Sequence, residues 1–287
     1  MAKKWFDDAL LTQLEQLRVH FFRHASGQSG GARRSKYRGI SAEFSDFREY
    51  RQGDDFRRID WNAYARFRRL ILKLFMEERQ MQVRLFLDVS ESMNRQSKLD
   101  MAKRLSAVLA YLAIGSYDQA GFYPLGEVPG EIFPMTTGKA AFVRMLDYLE
   151  GISVQKKTNL SQAIQRVGLS RTSGTAFVLT DGFTADGLET ALDYLRYHKQ
   201  DTTLVHILSR EELAPSFDGD VRLIDSESGE SIEMEPNPQV LHEYQQELKK
   251  FCSQLKEMCC KRGAHYALIP ADMDIQEAIF TQLLQTR

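Results

Sequence analysis

No apolar run in the chain approaches the roughly 20 residues that a membrane-spanning helix needs. Its opening residues, Met1-Ala2-Lys3-Lys4-Trp5-Phe6-Asp7-Asp8, have no apolar signal-peptide core, so a cytoplasmic protein is expected. Cysteine is scarce: Cys252, Cys259 and Cys260 fall in one expected helix, form no Cys-x-x-Cys pair and have no histidine ladder nearby. That pattern argues against zinc and for reduced structural thiols, with adjacent Cys259-Cys260 the one redox candidate. The Gly- and Ser-rich stretch 27–36 lacks the Gly-Lys-Ser/Thr of a phosphate-binding loop. No internal repeat is present, and net charge is only −1. That balance hides an asymmetry, since residues 1–82 hold 17 Lys and Arg against 11 Asp and Glu, leaving 21 against 28 for the rest. A basic front half can attract the acidic back half or offer a face to a polyanion.

What the chain does have is Val83-Arg84-Leu85-Phe86-Leu87-Asp88-Val89-Ser90-Glu91-Ser92-Met93, an apolar run that ends in a carboxylate and two hydroxyls spaced two apart. Such a continuous run predicts a central strand of a parallel sheet, covered on both faces. In open sheets of that kind the site lies beyond the carboxyl ends of the strands. A second run, Thr175–Thr180, ends in Asp181-Gly182, and Thr158 opens an amphipathic stretch carrying Leu160, Ala163, Ile164 and Val167. Hard oxygen donors therefore gather at strand ends and a helix start, where Mg²⁺ or Mn²⁺ is preferred over softer ions. Taken singly, each of these residues is as well explained as a cap or a turn former.

Taken in order, Asp88-x-Ser90-x-Ser92, then Thr158, then Asp181 resembles the metal-ion-dependent adhesion site of von Willebrand factor A domains. Strands alternating with helices predict an α/β fold, a doubly wound, mostly parallel sheet, with an N-terminal helical and irregular extension. The expected division is 1–80, a helix over 7–24 plus a charged and aromatic segment, and 81–287, the sheet domain with a hairpin near 221–234 and a long helix over 239–262. His206, within an apolar run, is expected to be a hydrogen-bonded core residue.

The charged segment runs Arg38-Gly39-Ile40-Ser41-Ala42-Glu43-Phe44, then Arg48-Glu49-Tyr50, Gly53-Asp54-Asp55, Arg57-Arg58-Ile59-Asp60-Trp61 and Ala65-Arg66. It resembles the hallmark of the domain-of-unknown-function 58 family, apart from Ser41, where relatives often carry a second glycine. Arg48, Asp54, Asp55, Arg57, Asp60, Trp61 and Arg66 are expected either as a buried clasp of Arg–carboxylate pairs fixing an irregular loop, or as a partner-binding surface. The two resemblances together imply a non-enzymatic, Mg²⁺-dependent protein-binding module. They also imply, as partner, a MoxR-type AAA+ ATPase or its client presenting a carboxylate. No histidine follows the pattern at a strand end to act as a base.

Two other classes compete. A metal-dependent phosphoester hydrolase of the haloacid-dehalogenase kind would need a second Asp where Ser90 stands. Nucleic-acid binding could use Arg33, Arg34, Lys36, Arg38, Arg66, Arg68 and Arg69, with Tyr37, Trp61, Tyr64 and Phe67 as stacking platforms, but Asp54, Asp55 and Asp60 interrupt a phosphate track.

Overall fold

Apolar residues at helical spacing open the chain. Phe6 and then Leu10 and Leu14 of helix α1 (Asp8–Leu17) are all buried. The computed structural model describes residues 5–6, 8–17, 43–52, 54–76, 80–127, 130–155, 159–169, 172–183, 187–215, 221–224, 231–234 and 238–286. The chain divides into two compact units, Gln28–Gln80 on one hand and Met1–Gly27 with Met81–Arg287 on the other. The sequence boundary at residue 80 grouped the opening helix with the charged segment, and the structure assigns it to the larger unit instead. The reason is burial: Phe6, Leu10 and Leu14 join the same apolar cluster as Leu105, Leu109 and Leu112, and Trp5 Nε1 donates to Glu150 at 3.1 Å.

Within the irregular N-terminal region, the smaller unit holds a few regular elements. Strand β1 (Glu43–Glu49) pairs antiparallel with β2 (Ile71–Met76), with a register shift between Phe44 and Asp46. Between them lie a 3₁₀ turn, Phe56–Arg58, and helix α2 (Trp61–Phe67). Ile59 bridges to Leu72, and both side chains are buried. The helix stops at Arg68, whose left-handed φ of 54° closes it as glycine more often does.

In the larger unit the chain runs through β3 (Gln82–Asp88), α3 (Lys98–Gly115), β4 (Gln119–Leu125), β5 (Phe133–Thr136) and α4 (Lys139–Gly151). It continues through α5 (Leu160–Arg166), β6 (Gly174–Thr180), α6 (Leu188–Tyr197), β7 (Gln200–Leu208) and α7 (Arg210–Leu213). The paired strands β8 (Val221–Ile224) and β9 (Ser231–Met234) follow, then α8 (Pro238–Lys261), β10 (His265–Pro270) and a terminal helical stretch, Ile275–Glu277, Ala278–Leu283 and Leu284–Thr286.

The sheet order is β10-β7-β6-β3-β4-β5, parallel throughout except for β5, which runs antiparallel to β4. Successive residues of β3 feed opposite faces: Val83, Leu85 and Leu87 join the α1–α3 cluster, while Phe86 joins the one built with Leu160, Leu192 and Leu255. Burial on both faces explains why the strand is apolar without alternation. The exception is Arg84, kept inside by hydrogen bonds to Gln200 Oε1 at 2.7 Å and Gln82 Oε1 at 2.5 Å. From β3 the chain turns to β4 on one side, and β6 later arrives on the other, so the carboxyl ends of β3 and β6 flank the point where strand order reverses. Crevices at that point are where doubly wound sheets bind ligands.

Candidate metal site beyond strands β3 and β6

Asp88 ends β3 almost wholly buried, and its two oxygens are used differently. Oδ1 accepts the Ser90 backbone N–H at 3.0 Å, folding the chain back as an Asx turn does, and Oδ2 accepts the Thr180 hydroxyl at 2.7 Å. The 3₁₀ turn Ser92–Asn94, started by Met93 N–H donating to Ser90 O at 3.1 Å, returns Ser92 towards Ser90. Their Oγ atoms lie 2.9 Å apart. On the neighbouring strand, Asp181 follows Thr180 directly and is completely buried. The Asp181 Oδ1 accepts Phe183 N–H at 3.2 Å, and Gly182 makes the turn with a left-handed φ of 77°. Four of the five residues expected at a metal site thus converge at one sheet edge: Asp88, Ser90, Ser92 and Asp181.

Thr158 lies outside the described residues. The chain approaches that stretch beside the serine loop, since Gln155 N–H donates to Val89 O at 2.7 Å. It leaves through Asn159, whose side chain accepts Gln162 N–H at 3.0 Å and caps α5. The helix start expected at Thr158 is therefore one residue later.

Electrostatics mark the same place. Burial first, and then the charge of Asp181, push the Asp88 carboxyl up to about 6, against the lowering effect of the Thr180 and Ser90 hydrogen bonds. A cation between the carboxylates would relieve that strain. The hydroxyl pair also fits an ion with oxygens at about 2.1 Å, because adjacent vertices of that octahedron are about 3 Å apart, close to the Ser90–Ser92 separation. Among the described residues there is no group of three or more His, Cys, Asp or Glu placed to hold a metal. The donor set is hydroxyls plus two carboxylates, which suits Mg²⁺ or Mn²⁺ better than zinc.

Several neighbours of the site carried no sequence signal. Lys98, the first residue of α3 and 1% exposed, donates to Asp181 Oδ2 at 2.9 Å and to Glu212 Oε1 at 2.6 Å. Glu212 closes a capping box with Ser209 at the start of α7. His206 is the buried core residue expected of it, and it braces the site from below. Its ring lies 2.9 Å from Asp181 O and 2.7 Å from the Tyr266 hydroxyl. A carbonyl can only accept, so Nε2 carries the proton and Nδ1 accepts from Tyr266. Burial pushes this imidazole down to about 4. Phe183, half exposed at the rim, stacks on Phe251 with ring centroids 5.2 Å apart.

In the smaller unit several residues of the expected clasp form local turns and caps. Arg48 pairs with Asp54 at 2.8 Å, and the carboxylate is held below its usual range first by Arg51 N–H and then by Arg48. Asp55 accepts Arg57 N–H at 3.0 Å, and Asp60 accepts Asn62 and Ala63 N–H at 3.0 and 3.1 Å as the N-cap of α2. Arg57, Arg66 and Trp61 are exposed, Trp61 by 58%. Neither Arg57 nor Arg66 forms an ion pair with a carboxylate among the described residues.

Comparison with known proteins matches the family described as "Protein of unknown function DUF58" over residues 46–252. The comparison with curated proteins returned no match. Similar solved structures include conserved hypothetical protein BatB from Bacteroides thetaiotaomicron, at 19% identity over 69% of this chain and 95% of that one, with a TM-score of 0.43. An aerotolerance-related membrane protein from Bacteroides fragilis NCTC 9343 is 18% identical over 69% and 94%, TM-score 0.44. The SpRpn10 VWA domain is 11% identical over 70% and 94%, TM-score 0.39. No described helix is long and apolar enough to cross a membrane. With most of its length matched by the family, this chain belongs to the DUF58 family, and its larger unit is an α/β domain around a mostly parallel sheet.

Proposed function

We propose that the protein is a non-enzymatic, Mg²⁺- or Mn²⁺-dependent binding module, a cytoplasmic adaptor that docks a carboxylate-bearing protein partner at the ends of β3 and β6. The observation that carries this reading is the hydroxyl pair of Ser90 and Ser92 on the loop after β3, with the buried carboxylates Asp88 and Asp181 at the ends of the paired strands β3 and β6. Ser90 and Ser92 would hold the ion directly, with Thr158 joining them directly or through water, and Asp88 and Asp181 would hold it chiefly through bound water. When bound, the ion supplies an under-neutralised positive charge to an incoming carboxylate. Each carboxylate already accepts from protein donors, Asp88 from Ser90 N–H and Thr180, Asp181 from Phe183 N–H and Lys98. That engagement leaves Asp88 poorly placed to act as a nucleophile and supports binding over turnover. Phe183 and Phe251 give the rim an apolar ledge on which a partner side chain can rest.

The family resemblance makes a MoxR-type AAA+ ATPase, or the client it remodels, the partner to test first. The experiment is a pull-down of that ATPase by the wild type and Asp88→Ala, in Mg²⁺ and in chelator. Association that survives both chelation and the substitution would sink the proposal.

A further inference from the structure

A lysine buried at the start of a helix faces three opposing effects, and Lys98 meets all of them. The residue is 1% exposed, and an unpaired charge buried to that degree is strongly disfavoured. It occupies the first position of α3, next to the positive end of the helix dipole. The loop delivering it holds two consecutive non-glycine residues, Gln96 and Ser97, at left-handed φ of 53° and 63°. A neutral residue here would avoid the first two and serve the helix better. The compensation lies elsewhere: the ammonium sits 2.9 Å from Asp181 Oδ2 and 2.6 Å from Glu212 Oε1, and so ties the loops after β6 and β7 to the start of α3.

We infer that Lys98 is a built-in cation and the positioning residue of the metal site, holding Asp181 back from the ion and setting how tightly a divalent cation binds. The inference rests on the metal reading proposed above. With Phe183 N–H on Oδ1 and Lys98 on Oδ2, both Asp181 oxygens already have fixed donors. The lysine also adds one positive charge beside the place the ion takes. Removing it frees a carboxylate to ligate the ion and removes the repulsion, so ion affinity rises. The same change lets Asp181 neutralise the ion, so attraction for a partner's carboxylate falls. A lysine that merely held the fold together would not move these two affinities in opposite directions.

The test is calorimetric titration of Mn²⁺ and Mg²⁺ into wild type, Lys98→Met and Lys98→Gln, each checked by thermal unfolding with and without Mn²⁺. Lys98→Gln keeps an N–H donor for Asp181, and it decides the matter if Lys98→Met does not fold. Glu212→Gln serves as the control, since it removes the negative charge of the outer partner of Lys98 but leaves the charge beside the ion. Weak binding by wild type, with affinity raised about tenfold or more in the Lys98 variants and not in Glu212→Gln, supports the inference. Binding by the Lys98 variants alone also supports it, and overturns the metal reading for the native protein. Wild-type binding that the Lys98 variants match or lose overturns the inference and leaves the metal reading standing. No binding by any of them overturns both.

Discussion

Replacing Asp88 by asparagine should stabilise the ion-free protein at neutral pH while abolishing its ion binding. The carboxyl is almost wholly buried and is pushed up from its ordinary 3.8 to about 6, first by burial and then by the charge of Asp181. At about 1.4 kcal/mol per unit, ionised Asp88 costs the fold about 3 kcal/mol at pH 7. Asparagine keeps an oxygen for Ser90 N–H, and its amide can donate to Thr180 Oγ1, which already accepts from Gly182 N–H at 3.0 Å. The Thr180 hydroxyl then loses its buried acceptor, a loss of about 1 kcal/mol. The net gain is about 2 kcal/mol.

The sign reverses with pH. A carboxyl whose folded-state pKa is raised binds its proton more tightly when folded, so the penalty is absent below the unfolded value near 4 and complete above the folded value near 6. In chelator, Asp88→Asn should therefore be about 1 kcal/mol less stable than wild type near pH 4 and about 2 kcal/mol more stable near pH 7. Urea titrations of both proteins across that range measure the difference, and Mg²⁺ should raise the midpoint of wild type alone. Stability differences that stay constant with pH would refute the reasoning, because they would mean that Asp88 does not titrate between the two limits.

Ser90→Ala with Ser92→Ala removes the hydroxyl pair and the Ser90 side-chain bond to Asp88 but leaves Ser90 N–H on Asp88, so stability should fall by no more than about 2 kcal/mol while calorimetry shows ion binding lost. A large fall in melting temperature would make the serines structural. His206, pushed down to about 4, should stay neutral with Nε2 protonated well below its ordinary 6.5. A base with a lowered folded pKa loses stability as pH falls from about 6.5 towards 4, and nitrogen-detected NMR showing a charged ring near pH 6 would contradict the assignment. Asp60→Ala removes the N-cap of α2 and should cost at least about 1 kcal/mol, rising to about 3–5 kcal/mol if the carboxylate is also half of a buried pair. Denaturant midpoints separate the two values.

The parts of this molecule that were legible from sequence are those whose cause is local. Asp88, Ser90 and Ser92 are neighbours on one loop, and the strands before Asp88 and Asp181 announce themselves by burial on both faces. Lys98 and Thr180 were not legible, because their partners lie 83 and 92 residues away along the chain. Glu212 is 114 residues from Lys98. A lysine opening an amphipathic helix reads as solvated until the opposite loops are in place. The stripe of α1 was visible too, but periodicity says that a helix packs and not on what, which is why the boundary at residue 80 put it with the wrong unit. In residues 43–76 the alternation of charges and aromatics suggested pairing across space. Asp55 and Asp60 also serve the backbone N–H groups two and three residues on, a use that sequence alone does not distinguish from a salt bridge.

The charge balance at the site also fixes how ion and partner must influence each other. Serine hydroxyls bring no charge to an ion, and Asp181 is already shared with Lys98. On the proposed reading, an ion held this way would bind weakly on its own, and a partner's carboxylate would supply the negative charge that the protein withholds. Coupling between two ligands is reciprocal: whatever factor the partner adds to ion affinity, the ion must add to partner affinity. A stronger ion site of the protein's own, with Asp181 as a direct ligand, would weaken that coupling by neutralising the ion in advance. Mg²⁺ titrated into the protein alone and into its complex should therefore show tighter binding in the complex, and partner titrations with and without Mg²⁺ should return the same ratio. Equal ion affinities in the free and complexed protein would mean that the partner's carboxylate never reaches the ion.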